Sequence, residues 1–308
     1  MKAVGLAVAL LIMAGLIGNG PVGAQVPFRT QVDLVGLGVT VLDRKGNLVT
    51  ELTKNDFEVY EDGKVQSVEY FTRGTDFGEA PLHLGLLFDT SGSMGEDINL
   101  SRSAAIKFLN ALPDARDMTL VEFDTEVRLA RYTQDDFARL VERIRRRRPD
   151  GYTALYDALG VYLAGAAEID GRKILVLYTD GGDTRSSLSW SETLDLLKAS
   201  DVTVYGVGFL EHQSSFGRLA QQQQIQQMAE ITGGQAFFPQ SADDVDAAYD
   251  KVLAELRAQY TLGYVSANTK TDGSWRKLEI KLKSPDLKGA RIRSRRGYYA
   301  PFRETAVQ

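Results

Sequence analysis

The chain has 308 residues, no cysteine, two histidines and a formal net charge of -5 at pH 7. Disulfide frameworks and thiolate metal sites are excluded, and two histidines give no basis for a multi-histidine zinc site. The acidic balance gives no reason to expect nucleic acid as a partner, and the length accommodates one large domain or two modest ones.

Residues 1–24 read as an export signal. Lys2 precedes an apolar run over residues 3–17, and Val22-Gly23-Ala24 offers the small residues a signal peptidase reads. Cleavage is expected after Ala24, giving an exported protein, periplasmic or extracellular. Membrane contact is expected only if this segment stays as an anchor. No cysteine follows it, so lipid attachment through a cysteine is excluded.

Residues 32–42 alternate as a strand, with Val35, Leu37, Val39 and Val41 on one face. Asp62-Gly63 marks a hairpin between strand-like flanks, and residues 65–71 continue as a strand. No helical period occurs before residue 75, and residues 74–81 form a boundary. From Leu82 strands alternate with helices. A buried strand ends at Asp89, a helix runs from Ile98 to a stop at Pro113, and strands follow over 118–123 and 127–132. The link Asp124-Thr125-Glu126 is too short for a parallel crossover, so these two strands pair antiparallel. Helices over 135–147, 153–169, 190–199, 219–231 and 243–257 alternate with strands over 173–179, 202–209 and 235–238. After Gln259 the period returns to two, with strands over 260–265, about 277–283 and 291–299. The expected fold is an α/β, Rossmann-like, doubly wound and mostly parallel sheet with one antiparallel strand. Each β-rich flank offers too few strands to stand alone. Residues 25–76 and 258–303 are therefore expected to form one small β-sandwich, with the α/β domain, 82–256, inserted in it.

In an open α/β sheet, ligands bind outside the carboxyl ends of the strands. Three segments converge there. They are Asp89-Thr90-Ser91-Gly92-Ser93, Gly151-Tyr152-Thr153, and Asp180-Gly181-Gly182-Asp183. The first turns two hydroxyls and a carboxylate toward one point, a set of hard oxygen donors of the kind Mg²⁺ prefers. The competing readings are local: helix-capping hydroxyls for Ser91, Ser93 and Thr153, and a turn residue for Asp180.

Asp-x-Ser-Gly-Ser, a later Thr before Ala-Leu-x-x-Ala-Leu, and Thr-Asp-Gly-Gly-Asp, in this order, resemble the metal-ion-dependent adhesion site of von Willebrand factor type A domains. The resemblance covers about residues 82–256. With Asp-Phe-x-Val-x-Glu-Asp-Gly-Lys ahead of it, the layout is similar to bacterial secreted proteins of that family. It implies that Ser91, Ser93 and Thr153 ligate a divalent ion through hydroxyls, and that Asp89 and Asp180 bind directly or through water. Mg²⁺ is the default, and Mn²⁺ or Ca²⁺ suit the same donors. The open coordination position implies a partner protein offering an Asp or Glu carboxylate. Gly92 and Asp183 support the site. Tyr152, where the family often has a small residue, stands at the rim.

The resemblance therefore implies a non-enzymatic, exported adhesion module. The alternatives are an envelope scaffold in which a metal only stabilises the loops, and a metal-dependent hydrolase. The chain has no Gly-x-Ser-x-Gly, His-Glu-x-x-His or Walker loop to support the last. His83, His212 and Asp157 read as structural or solvated, and the arginines of residues 143–148 as the solvated end of a helix, with steering of an acidic partner toward the metal face as the alternative. Arg291, Arg293, Arg295 and Arg296 read as an exposed strand face.

Overall fold

The computed structural model describes residues 34–74, 81–111 and 115–302. The expected signal segment, the boundary at 75–80 and the helix stop at Pro113 lie outside the described residues. Four strands come first: β1 (Leu34–Leu42), β2 (Phe57–Glu61), β3 (Lys64–Gln66) and β4 (Val68–Arg73). The α/β segment contains β5 (Leu82–Asp89), α1 (Ile98–Asn110), β6 (Asp117–Phe123), β7 (Val127–Tyr132), α2 (Phe137–Arg146) and α3 (Leu155–Ala167). It continues with β8 (Arg172–Thr179), α4 (Trp190–Ala199), β9 (Thr203–Gly208), α5 (Ser215–Ile231), β10 (Ala236–Phe237) and α6 (Ala242–Ala258). Four strands follow: β11 (Tyr260–Val265), β12 (Trp275–Leu282), β13 (Arg291–Arg293) and β14 (Gly297–Tyr299).

The six-stranded sheet has the order β10-β9-β8-β5-β6-β7. All its pairs are parallel except β6 with β7, which the short 124–126 link forces into a hairpin. Strand β5 lies at the centre and every one of its residues is buried, which accounts for its unbroken apolar run. Leu84, Leu86 and Phe88 pack on one face with residues of α1, α2 and α6, including Phe108, Ile144 and Tyr249. Leu87 packs on the other with α3, α4 and α5, through Leu159, Leu197 and Met228. A Cβ at Gly85 would come within 2.3 Å of the Tyr162 ring, so α3 seats on β5 only because that position is glycine.

The flanks build two four-stranded sheets, β13-β1-β11-β4 and β14-β12-β2-β3, each mixing strands from both ends of the chain. Val39, Val59, Tyr260, Leu262, Leu278 and Tyr298 from the two sheets share one core. An ion pair lies inside it. Arg276 and Glu61 are each 2% exposed and their side chains meet at 3.4 Å. The Glu61 carboxylate also accepts from the hydroxyls of Ser266 at 2.6 Å, Tyr264 at 2.7 Å and Tyr298 at 2.8 Å. Burial pushes the Glu61 carboxyl up, but these three donors and the Arg276 charge outweigh it and hold the group below its ordinary value.

Three expectations need correction. Residues 65–71 are two strands, β3 and β4, in different sheets, and residues 291–299 are likewise divided between β13 and β14. Alternation could not reveal this, because both sheets turn their apolar faces to the same core. Nor do Arg293 and Arg295 lie on an exposed face. Arg293 pairs with Glu255 of α6, and Arg295 donates to the Gly36 carbonyl at 2.8 Å.

Removing one partner of a buried pair leaves the other charge uncompensated. Arg276→Ala is expected to lower the unfolding free energy by about 3–5 kcal/mol in urea denaturation. The control Lys277→Ala, at an exposed position, should stay within about 0.5 kcal/mol of the parent. Hydrogen exchange should show β1, β2, β11 and β12 losing protection together. Loss confined to the C-terminal strands would rule out a shared core.

Candidate functional site

Strand β5 ends at Asp89, which is fully buried. Asp89 Oδ1 accepts the Ser91 N–H at 2.9 Å, bracing a sharp turn at the strand end. Asp89 Oδ2 accepts the Thr179 hydroxyl, at 2.6 Å, from the end of the neighbouring β8. The Ser91 and Ser93 hydroxyls lie 3.0 Å apart. Ser91 heads the 3₁₀ turn Gly92–Gly95 without capping it through its side chain, so the capping reading of these hydroxyls does not hold.

Residues 150–154 are fastened to that loop through the backbone. The Asp150 N–H donates to the Thr90 carbonyl at 2.9 Å, and the Gly92 N–H to the Gly151 carbonyl at 3.0 Å. Gly151 has φ +77°, and a Cβ there would meet Thr125 Oγ1 at 2.3 Å. Only glycine lets this loop settle on the β6–β7 hairpin. Tyr152 donates its N–H to Thr125 Oγ1 at 3.0 Å, and its side chain stands 65% exposed. Thr153 is buried, and α3 begins at Leu155 behind Ala154, so Thr153 does not serve as the helix cap.

The third segment docks on the second. The Thr153 N–H donates to Thr184 Oγ1 at 2.9 Å, and its carbonyl accepts the Thr184 N–H at 2.9 Å and the Arg185 N–H at 3.1 Å. Asp183 accepts the Tyr156 N–H at 3.1 Å and the Ser186 hydroxyl at 2.6 Å, so it braces this loop against the start of α3.

Asp89 and Asp180 are 0% and 2% exposed. Their partners include Ser91, Thr179 and, at 3.2 Å from Asp180 Oδ2, the Gln213 amide. Among the described residues no Lys, Arg or His pairs with either carboxylate. Burial pushes the Asp89 carboxyl up to about 7, the Asp180 charge adds to this, and donation from Ser91 and Thr179 opposes it. Asp180 is raised as well, by burial first and then by Asp97, against hydrogen bonding from Ser93. Among the described residues no group of three or more acidic or histidine side chains could hold a metal ion. The donor set here is thus two carboxylates and neighbouring hydroxyls, all hard oxygens. A divalent cation fits that set and would relieve the burial of two like charges.

The histidines are engaged elsewhere. His83 is buried between Asp117, at 2.9 Å, and the Asp170 carbonyl, at 3.0 Å. His212 bridges Glu96 at 2.7 Å and Asp97 at 3.0 Å. Sequence reasoning missed Thr179 and Thr184, and read Asp157 as structural or solvated without a partner. Asp157 accepts the Ser187 N–H at 2.9 Å and the Leu188 N–H at 3.0 Å, anchoring the loop that carries Asp183. A signal existed for Thr179, a hydroxyl closing an otherwise apolar strand beside Asp180. None marks Thr184, whose role arises only when two loops distant in sequence meet.

Residues 83–251 match the sequence model of the von Willebrand factor type A domain. No curated protein matches the chain. Among solved structures, the D319A mutant of the PilB minor pilin from Streptococcus sanguinis is similar, with a TM-score of 0.47 and 14% identity over 59% of this chain and 62% of that one. The vWF domain of the type V pili tip protein Mfa5 from Porphyromonas gingivalis has a TM-score of 0.47 and 13% identity, over 57% of this chain and 94% of that one. A von Willebrand factor type A structure from Catenulispora acidiphila has a TM-score of 0.47 and 12% identity, over 90% of this chain and 76% of that one.

The buried carboxylates set a pH dependence in metal-free buffer. Folded Asp89 holds its proton up to about 7, whereas an ordinary carboxyl releases it near 3.8. The folded state therefore binds more protons across that window. Its unfolding free energy falls as pH rises from about 4 to about 7, by at most about 4 kcal/mol, and levels off above. In urea titrations with EDTA, Asp89→Asn should lose most of this slope and exceed the parent in stability at about pH 8. A rising slope over the same window would exclude this account of the pair.

Proposed function

The chain belongs to the von Willebrand factor type A domain family, and from that premise we propose that it is an exported, non-enzymatic module that binds a partner protein through a divalent cation. Residues 1–24 are the export signal in this proposal, residues 82–256 carry the binding site, and 25–76 with 258–303 form its supporting domain. Ser91, Ser93 and Thr153 would hold the ion through their hydroxyls, and Asp89 and Asp180 would bind it directly or through water. Mg²⁺ is the expected ion, with Mn²⁺ or Ca²⁺ compatible with an all-oxygen shell. When bound, the ion supplies one open position that an Asp or Glu carboxylate of the partner fills.

The observation that carries this reading is the buried Asp89–Asp180 pair, which no basic side chain neutralises among the described residues, set beside the adjoining Ser91 and Ser93 hydroxyls. The chain's own groups support the site in a definite way. Asp89 fixes Ser91 through its N–H and Thr179 through its hydroxyl. Thr184 fixes Thr153, and Asp183 holds the loop that follows Asp180. Gly92 keeps the first loop close to Gly151, where a Cβ would stand 3.3 Å from the carbonyl oxygen. Tyr152 offers an exposed ring at the rim, suited to packing beside an incoming carboxylate. Against an enzyme, both histidines are tied to carboxylates rather than to a Ser or Thr hydroxyl.

Titration with Mn²⁺, followed by electron paramagnetic resonance, should find one saturable site that Mg²⁺ displaces. Asp89→Ala should weaken it by at least about tenfold while circular dichroism stays unchanged. The immobilised full chain should retain a protein from envelope extract in Mg²⁺ and release it in EDTA. Retention that is undiminished in EDTA refutes the metal-bridged reading.

A further inference from the structure

Between α2 and the β6–β7 hairpin lies a groove of about 650 Å³. Arg128, Arg139, Arg143, Arg146 and Arg147 line it, together with the buried Glu122. The arginine-rich helix end is therefore not simply solvated. Arg143 Nε donates to Glu122 Oε2 at 2.6 Å and Arg147 Nη2 to Asp124 Oδ2 at 2.6 Å, while Arg128 grips both oxygens of Asp124 at 2.9 and 3.0 Å. Nearer the surface, Arg146 Nε donates to Glu142 at 2.6 Å and Arg139 pairs with Asp136 at 2.9 Å.

These contacts orient the guanidiniums without exhausting them. In Arg146 the protein carboxylate takes the Nε edge, which leaves terminal amino donors for another acceptor; a guanidinium carries five donors in all. The Arg139 and Arg146 side chains are 81% and 79% exposed. In contrast, Glu122 Oε1 is buried and has no hydrogen-bond partner. The groove thus presents surplus guanidinium donors and one unsatisfied acceptor. A matching ligand brings several planar oxyanions and at least one N–H. An acidic polypeptide has both, since its carboxylates fit the arginine forks and its amides can reach Glu122. A polyphosphate has only the oxyanions.

We propose that this groove binds an acidic, Asp- and Glu-rich peptide segment of the partner protein, as a second contact beside the metal-facing loops. The two places are joined. Asp124, which holds Arg128 and Arg147, accepts the Ala154 N–H through its carbonyl at 2.9 Å, next to Thr153. The inference rests on the metal-bridged reading only for the claim that one partner occupies both places.

The test is fluorescence anisotropy of a short labelled Asp/Glu-rich peptide with the full chain in EDTA. Binding should persist in EDTA and in Asp89→Ala, and weaken as salt rises. The double variant Arg139→Glu/Arg146→Glu reverses two exposed charges and spares the pairs to Glu122 and Asp124, so its fold should hold by circular dichroism. It should bind the peptide at least about tenfold more weakly. Equal affinity in the double variant, no binding to the parent, or loss of binding in EDTA overturns the proposal. So does a sulfated oligosaccharide that binds more tightly than the peptide. If the groove fails while the Mn²⁺ site is intact, the metal reading stands; the reverse pattern leaves the groove standing alone.

Discussion

Two carboxylates close adjacent parallel strands and are buried together with no basic side chain beside them among the described residues. Folded chains generally pair a buried charge or neutralise it. Here Asp89 and Asp180 are held in place by an N–H, hydroxyls and an amide, which orient carboxylates but cannot cancel them. The loops around them cannot relax to separate the charges. Backbone bonds tie residues 90–92 to 150–151, and Thr153 to residues 184–185. A buried pair of this kind is neutralised by a proton or by a cation supplied by the solvent.

The same chain shows what it does when a buried carboxylate is only structural. Glu61 meets Arg276 and three hydroxyl donors inside the sandwich, and its carboxyl lies below its ordinary value. Asp89 is also buried and shifts the other way. At Glu61 three hydroxyl donors, with Arg276 beside them, outweigh burial; at Asp89 burial prevails and the Asp180 charge adds to it. That contrast within one molecule separates a carboxylate paired inside the fold from two that no basic side chain pairs among the described residues.

Much of this was legible in the sequence because it rests on local rules. The apolar run Leu84 to Phe88, stopping at Asp89, reads as a buried strand that ends in a loop. The three residues between β6 and β7 dictate a hairpin, and Asp62-Gly63 dictates another, with both residues at positive φ. What stayed hidden depends on contacts between distant segments. Thr184 and Asp157 act by docking one loop on another. The strand divisions at Ser67 and at residues 294–296 follow from a chain that changes sheets while keeping the same inward face. The arginines near Glu122 and Asp124 were ambiguous for the same reason: a basic run does not announce which carboxylates the fold will bring beneath it.

The inserted architecture has a mechanical consequence. The α/β segment enters and leaves through the sandwich, with β4 and β11 hydrogen-bonded to each other at the junction. Its last helix, α6, is held there by more than chain continuity. Glu255 of α6 pairs with Arg293 of β13, and burial raises the Glu255 carboxyl against the pull of that arginine. Any displacement of α6 along the sheet must therefore carry β13 with it or lose that contact. The sandwich is more than a pedestal: it is bonded to the helix that follows the whole sheet in sequence. The buried carboxylates at the strand ends and the packing at the seam thus lie at opposite ends of the same inserted segment.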